Sequence, residues 1–235
     1  LERYQPIERE PLAVDVGGHR VLTNPPPSSG GALIGLGLHL AQSADPSALD
    51  GQSLRHVTEV SALLRTLSVA RGRGYDEKVK ATDALERLFS EAALAELHAT
   101  HDELRSEHPL GSTTHISVLD ALGEAASLTM SNGEGCGHTL ERWGVHINNF
   151  LGEEDINPGG FHRWPAGARM TTMMAPTIVL RDGDPTCVLG SGGSNRIRSA
   201  ILQVLLAMLV SGRSLAEAVQ APRLHVEGQR LWFEA

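Results

Sequence analysis

The spacing of apolar residues changes at Thr113, and this change constrains the fold more than any other feature of the chain. Upstream, Leu54 to Val69 and Ala81 to Leu97 place apolar residues at helical intervals, and residues 1–112 read as loop and helix. Downstream the period becomes two. "TTHISVLD" (113–120), a turn at Leu122-Gly123-Glu124 and "AASLTMS" (125–131) predict a β-hairpin. "APTIVLRDGDPTCVLGS" (175–191) predicts a second, turned at Asp182-Gly183. Arg196 to Val210 follows, apolar nearly all round, as suits a helix buried against a sheet. Helices before and after paired strands predict an α+β fold, with helices outside stacked antiparallel sheets.

Shorter signals mark the joints. Three prolines before Ser-Ser-Gly-Gly in "LTNPPPSSGGAL" (22–33) halt any strand and start a helix near Gly31 that runs to about Gln42. Ser214 with Glu217 three residues later is a capping box, and Pro222 ends the helix it opens. With 235 residues and 41% hydrophobic content, one substantial core, hence one domain, is expected. A net charge of −8 with scattered basic residues argues against nucleic-acid or anionic-membrane partners and favours small or peptide-like ligands. The longest apolar stretch, Ile201 to Val210, is interrupted by Gln203 and is too short to span a bilayer. Cys136 and Cys187 form no CxxC and are either two thiols or one bridge. There is no initiator Met, and "RLWFEA" reads as the middle of a strand. A fragment open at both ends is therefore expected, and a missing signal peptide carries no weight.

Four stretches carry possible chemistry. In "HATHDE", His98 and His101 stand one helical turn apart beside Asp102; this fits a metal site less well than a solvated helix end. The backbone amides of "NGEGCG" (132–137) suit an anion, and so does a plain mobile turn. "GSGGSN" (190–195) joins a predicted strand to the buried helix. Its amides are placed either to hold a developing oxyanion or simply to make a tight turn. Thr113 sits in a crowd of hydroxyls with His115 on the same strand face as a possible base. Inside a chain, a threonine hydroxyl lacks a proton acceptor. A cut between Ser112 and Thr113 would free an α-amine of pKa about 7.7–8.0, uniting nucleophile and base on one residue. Spacing alone favours an ordinary threonine-rich strand.

The order of six blocks adds to this. "NPPPSSGG", "TTHISVLD", "INNFLGEED", "ARMTTMMAPTIVLRDG", "GSGGSNRI" and "EAVQAPRLHVE" together resemble the γ-glutamyltranspeptidase family, with matches over nearly the whole chain. The resemblance implies an αββα sandwich of the N-terminal-nucleophile hydrolase type, made as a precursor that cuts itself before a threonine. By position that threonine is Thr113. Residues 1–112 would be the end of a large subunit and 113–235 most of a small one, the two paired after cleavage within one domain.

The implied activity is γ-glutamyl transfer or glutathione hydrolysis, through an ester on Thr113 passed to water, an amino acid or a peptide. Gly192, Gly193 and Ser194 would supply the oxyanion amides, although relatives more often read Gly-Ser-Pro-Gly-Gly there. Thr171 and Thr172 stand where the family has paired serines for the substrate α-carboxylate. Asn149 and Glu153 stand where it has an amide and an acid for the α-ammonium. Ser131 and Asn132 match a hydroxyl and an amide near the nucleophile, and Arg196 is expected to be structural. Phe150 replaces a common glutamine, and Glu153 replaces an aspartate with Glu154 and Asp155 as rivals. An arginine for the substrate carboxylate belongs to a part of the large subunit that precedes this sequence. No metal or organic cofactor is implied. The resemblance suggests a periplasmic or extracellular setting and leaves a cytoplasmic one open. Its alternatives are an amidase acting on cephalosporin side chains or poly-γ-glutamate, and a non-catalytic homologue that never cleaves.

Overall fold

A computed structural model describes residues 5–49, 53–72, 75–100, 113–153, 156–157, 160–227 and 230–234. The central sheet has four antiparallel strands in the order β1-β2-β7-β8: β1 is Leu12–Val16, β2 His19–Thr23, β7 Thr177–Arg181 and β8 Asp184–Leu189. The β1–β2 hairpin corrects the reading of residues 1–112 as loop and helix. Its turn is Gly17-Gly18, both at positive φ (57° and 74°), a backbone that glycine adopts at no steric cost. Gly-Gly between short alternating runs is one of the favoured two-residue hairpin turns, so the feature was present in the sequence. The β7–β8 hairpin turns at Asp182-Gly183 as expected, with a bulge between Val179 and Leu180.

Helices cover one face of this sheet. Helix α1 (Ser29–Ala41) is buried on nearly every side and packs against β1, α2 (Leu54–Gly72) and α6 (Arg196–Leu209). Val21 and Val179 of the sheet, Leu33, Ile34 and Leu38 of α1, and Ile201, Leu202 and Leu205 of α6 share one core. Full burial of each such side chain contributes about 1.5–3 kcal/mol. Helix α3 (Tyr75–Lys80) precedes the stretch from Ala81 to Leu97, where the one expected helix is instead two short ones, α4 (Ala84–Leu88) and α5 (Glu91–Thr100). Ser90 explains one break: its hydroxyl accepts from the Ala93 amide at 3.2 Å, which restarts the helix by a local side-chain bond. The capping box of α7 (Leu215–Gln220) is complete, with Ser214 and Glu217 exchanging both bonds.

Strands β3 (Thr114–Leu119) and β4 (Ala125–Met130) form the hairpin predicted after Thr113 and pack against β7 and β8. Ser127 ties them together: its hydroxyl donates to the Leu189 carbonyl at 3.3 Å and accepts from the Thr177 amide at 3.1 Å. The opposite face of the hairpin leaves Ile116, Val118, Leu128 and Met130 exposed. Two small ladders complete the strands, β5 (Thr139–Leu140) with β6 (Val145–His146) and β9 (Leu224–Glu227) with β10 (Arg230–Phe233). The result is α+β, a layer of helices on a sheet with a second β layer beyond it. Among the described residues no helix is long and apolar enough to cross a membrane.

Candidate active site

The β3–β4 register sets the first contact of the site. Thr114 pairs with Met130, so one step outward Thr113 faces Ser131. Thr113 Oγ1 donates to Ser131 Oγ at 3.4 Å, long for a hydroxyl pair, while the Gly133 amide donates to the same Ser131 oxygen at 3.0 Å. Ser112 lies outside the described residues. His115 is turned to other work. Its Nδ1 lies 2.8 Å from Thr129 Oγ1 and its Nε2 2.9 Å from Ser117 Oγ, so both ring nitrogens are engaged away from the Thr113 hydroxyl. Partial burial pushes the His115 pKa down.

"GSGGSN" runs from the end of β8 to the start of α6, as predicted, and passes directly beneath Thr113. A Cβ on Gly192 would run into the Thr113 carbonyl, so only glycine permits this approach. Gly193 has φ 108° and Ser194 φ 50°. For Ser194 the left-handed backbone is a strained state, of the kind that costs about 1–3 kcal/mol and persists only where the surroundings impose it.

Thr113, Ser131, Glu153, Thr172 and Ser194 meet around one small cavity, which Phe150, Met173, Met174 and Ile197 make apolar on its remaining sides. The two methionines were visible in the "TTMMAP" run, although nothing local marks them as lining residues. Thr172 is pinned from behind: its carbonyl accepts from the Ser29 and Gly30 amides at the start of α1, at 2.9 and 3.1 Å, and its Oγ1 accepts from the Met174 amide. Thr171 is buried and does not line the cavity. Asn132 is exposed and also lies off it, its carbonyl accepting from the Gly135 and Asn149 amides.

The "NGEGCG" turn does cradle an anion, and the anion belongs to the chain itself. The Glu134 amide donates to Glu153 Oε1 and to Asn149 Oδ1, both at 2.9 Å, and the Gly135 amide donates to Asn149 Oδ1 at 3.2 Å. Asn149 and Glu153 are thus brought together and oriented by one turn, with only Glu153 reaching the cavity wall. The rivals Glu154 and Asp155 lie outside the described residues. Arg196 packs its guanidinium 5.7 Å from the ring centre of Trp232 in β10, a structural placement.

Other candidates fall away from this site. His98 packs edge-on to His39 at 6.1 Å, while His101 and Asp102 lie outside the described residues. No group of three metal-ligating side chains occurs among the described residues. Cys136 is exposed and Cys187 buried, both free thiols, and burial pushes the Cys187 thiol up.

Comparison with known proteins places this geometry. The glutathione hydrolase proenzyme of Bacillus subtilis (strain 168) is 28% identical over 261 residues, covering 96% of this chain and 43% of the relative. The acylase ACY 1 proenzyme of Pseudomonas sp. (strain SE83) is 29% identical over 244 residues, covering 100% of this chain and 44% of the relative. The chain thus spans under half the length of these curated relatives. In fold it is similar to the solved cephalosporin acylase from Bacillus halodurans, with TM-score 0.76 over 98% of this chain and 43% of that one; at 18% identity the likeness is one of fold. The family model described as Gamma-glutamyltranspeptidase matches residues 1–235. The chain belongs to the γ-glutamyltranspeptidase family.

Proposed function

We propose that the whole protein is a self-processing γ-glutamyltransferase and glutathione hydrolase, cut between Ser112 and Thr113. The freed α-amine of Thr113 takes the proton of its own hydroxyl as Oγ1 attacks the γ-amide carbonyl. Collapse of the tetrahedral adduct breaks the C–N bond, the departing amine takes the proton, and the γ-glutamyl group stays on Thr113 as an ester. Water then releases glutamate, or an amino acid or peptide amine takes the group. In this reading the Gly192, Gly193 and Ser194 amides hold the oxyanion. Thr172 serves the substrate α-carboxylate, with the buried Thr171 beside it; Glu153 serves the α-ammonium, with Asn149 held on the same turn; and Ser131, next to Asn132, flanks the nucleophile. A charge left unpaired in so apolar a cavity would be costly, which is why an acid is needed for the ammonium.

One observation carries the reading: Thr113 stands at the start of β3, against Ser131 and directly over the Gly192 turn that opens α6. In this reading the hydroxyl and the amine of one residue and the amides of the adjoining turn act on one carbonyl. A second reading, an amidase for other acyl groups, is favoured by Phe150 on the cavity wall and by the similarity to an acylase. The two separate on substrate: cleavage of a glutaryl amide with γ-glutamyl-p-nitroanilide left intact would replace the first by the second.

The test of the nucleophile is an intact-mass measurement on the whole protein and its Thr113→Ala variant. The wild type is expected as two pieces, the smaller beginning at Thr113, and the variant as one uncut chain that forms no acyl-enzyme. Cleavage persisting in the variant would sink the assignment, and a wild type that stays uncut and inert would instead be a binding homologue.

A further inference from the structure

Asn195 precedes α6, where asparagine ordinarily caps the helix with its side chain. Here it makes no side-chain cap bond. Its amide is used elsewhere, between two opposite charges from distant parts of the chain. Asn195 Oδ1 accepts from Arg71 Nη1 of α2 at 2.5 Å, and Asn195 Nδ2 donates to Glu227 Oε1 of β9 at 3.0 Å. Asn195 and Glu227 are 6% and 7% exposed, so water does not substitute for these bonds.

The elements that carry the two anchors are tied to α6. Glu227 Oε2 lies 3.5 Å from His225 Nε2, and His225 Nδ1 lies 2.7 Å from Ser199 Oγ on α6. Gln203, also on α6, donates to the Leu224 carbonyl at 2.6 Å and accepts from the Leu224 amide at 2.7 Å, which locks β9 to the helix. Arg198 Nη2 donates to Ser68 Oγ of α2 at 3.1 Å. The residue thus clamped stands next to Ser194, whose left-handed backbone needs something to hold it.

We propose that Asn195 is a positioning residue: clamped between Arg71 and Glu227, it holds the Gly193–Ser194 backbone so that the turn's amides face Thr113. The inference rests on the reading of Gly192–Ser194 as the oxyanion turn. The amide meets both neighbours at once, its oxygen accepting from the guanidinium and its NH2 donating to the carboxylate. A residue that acts this way shapes the transition state more than substrate binding, so its loss lowers kcat and kcat/KM together.

The experiment uses the whole protein with Asn195→Ala, Glu227→Ala and Glu227→Gln. Turnover of γ-glutamyl-p-nitroanilide and hydrogen exchange of the 192–195 amides are both measured. Asn195→Ala and Glu227→Ala are expected to lower kcat about 10- to 100-fold, less than outright deletion of an oxyanion donor, with KM within about twofold. Exchange across the turn should quicken in both. Glu227→Gln keeps an oxygen to accept from Asn195 and should recover kcat to within about threefold of wild type. If Asn195→Ala does not fold, the Glu227 pair decides. Unchanged kcat and exchange in the alanine variants, or a Glu227→Gln that falls as far as Glu227→Ala, would overturn the clamp. A wild type inert toward the substrate would instead sink the functional reading, and the exchange comparison would still decide whether Asn195 holds the turn.

Discussion

Gly192 is the position where a single methyl group would press directly on Thr113. Its Cβ would meet the Thr113 carbonyl and come within 3.4 Å of the Thr113 Cβ, so either the turn or the start of β3 must move. A shift of about 1 Å at reacting groups costs roughly 100-fold in rate. Gly192→Ala is therefore expected to lower single-turnover acylation by about that factor and to lower Tm as well, since a backbone clash has to be relieved, and acylation at the wild-type rate would show that the approach is not needed. The identity of such residues was legible because the motif order marks them. Their partners were not. Asn149 and Glu153 were read as groups for a substrate ammonium, and nothing local shows that the Glu134 and Gly135 amides already hold them. Arg71 is 124 residues from Asn195 in sequence, and no spacing rule connects the two.

After Thr113 the elements follow their local signals, whereas before it the Gly17-Gly18 hairpin lies outside the loop-and-helix reading and local competition breaks a helical run. The two hairpins after Thr113 and helix α6 each combine one clean period with a turn or glycine boundary. From Ala81 to Leu97 a helical period persists, but the Ser90 hydroxyl takes the Ala93 amide, and two short helices, α4 and α5, result. Helix α7 shows the opposite case, since Ser214 and Glu217 close both capping bonds. The Ser214 bonds hold the Glu217 carboxyl below its ordinary range, with Arg213 adding to the effect. A lowered carboxylate pKa contributes stability above its unfolded value, and that contribution is lost as pH falls through the folded one. Ser214→Ala should lower Tm by about 2 °C at neutral pH, and by less once Glu217 is protonated in acid. Equal losses at both pH values would mean that the carboxylate half of the box contributes nothing.

At the scale of the molecule, residues on both sides of Thr113 build one core. Strand β2 pairs with β7 from Arg20–Leu180 to Thr23–Thr177, so the central sheet crosses the proposed cut. Helix α1 packs on α6, the Thr172 carbonyl accepts two amides from the start of α1, and Arg71 reaches Asn195. Separation of the two pieces would open the four residue pairs that join β2 to β7 and expose Leu33, Ile34, Ile201 and Leu205, each fully buried. At about 1.5–3 kcal/mol for each such side chain, this exceeds what the loss of one covalent link gives back in chain entropy. The cleaved protein is therefore expected to elute from gel filtration as a single species containing both pieces, and to come apart only in strong denaturant. Pieces that separate in plain buffer would show that the shared sheet is too weak to keep Thr113 over the Gly192 turn, and the site could not outlive its own processing.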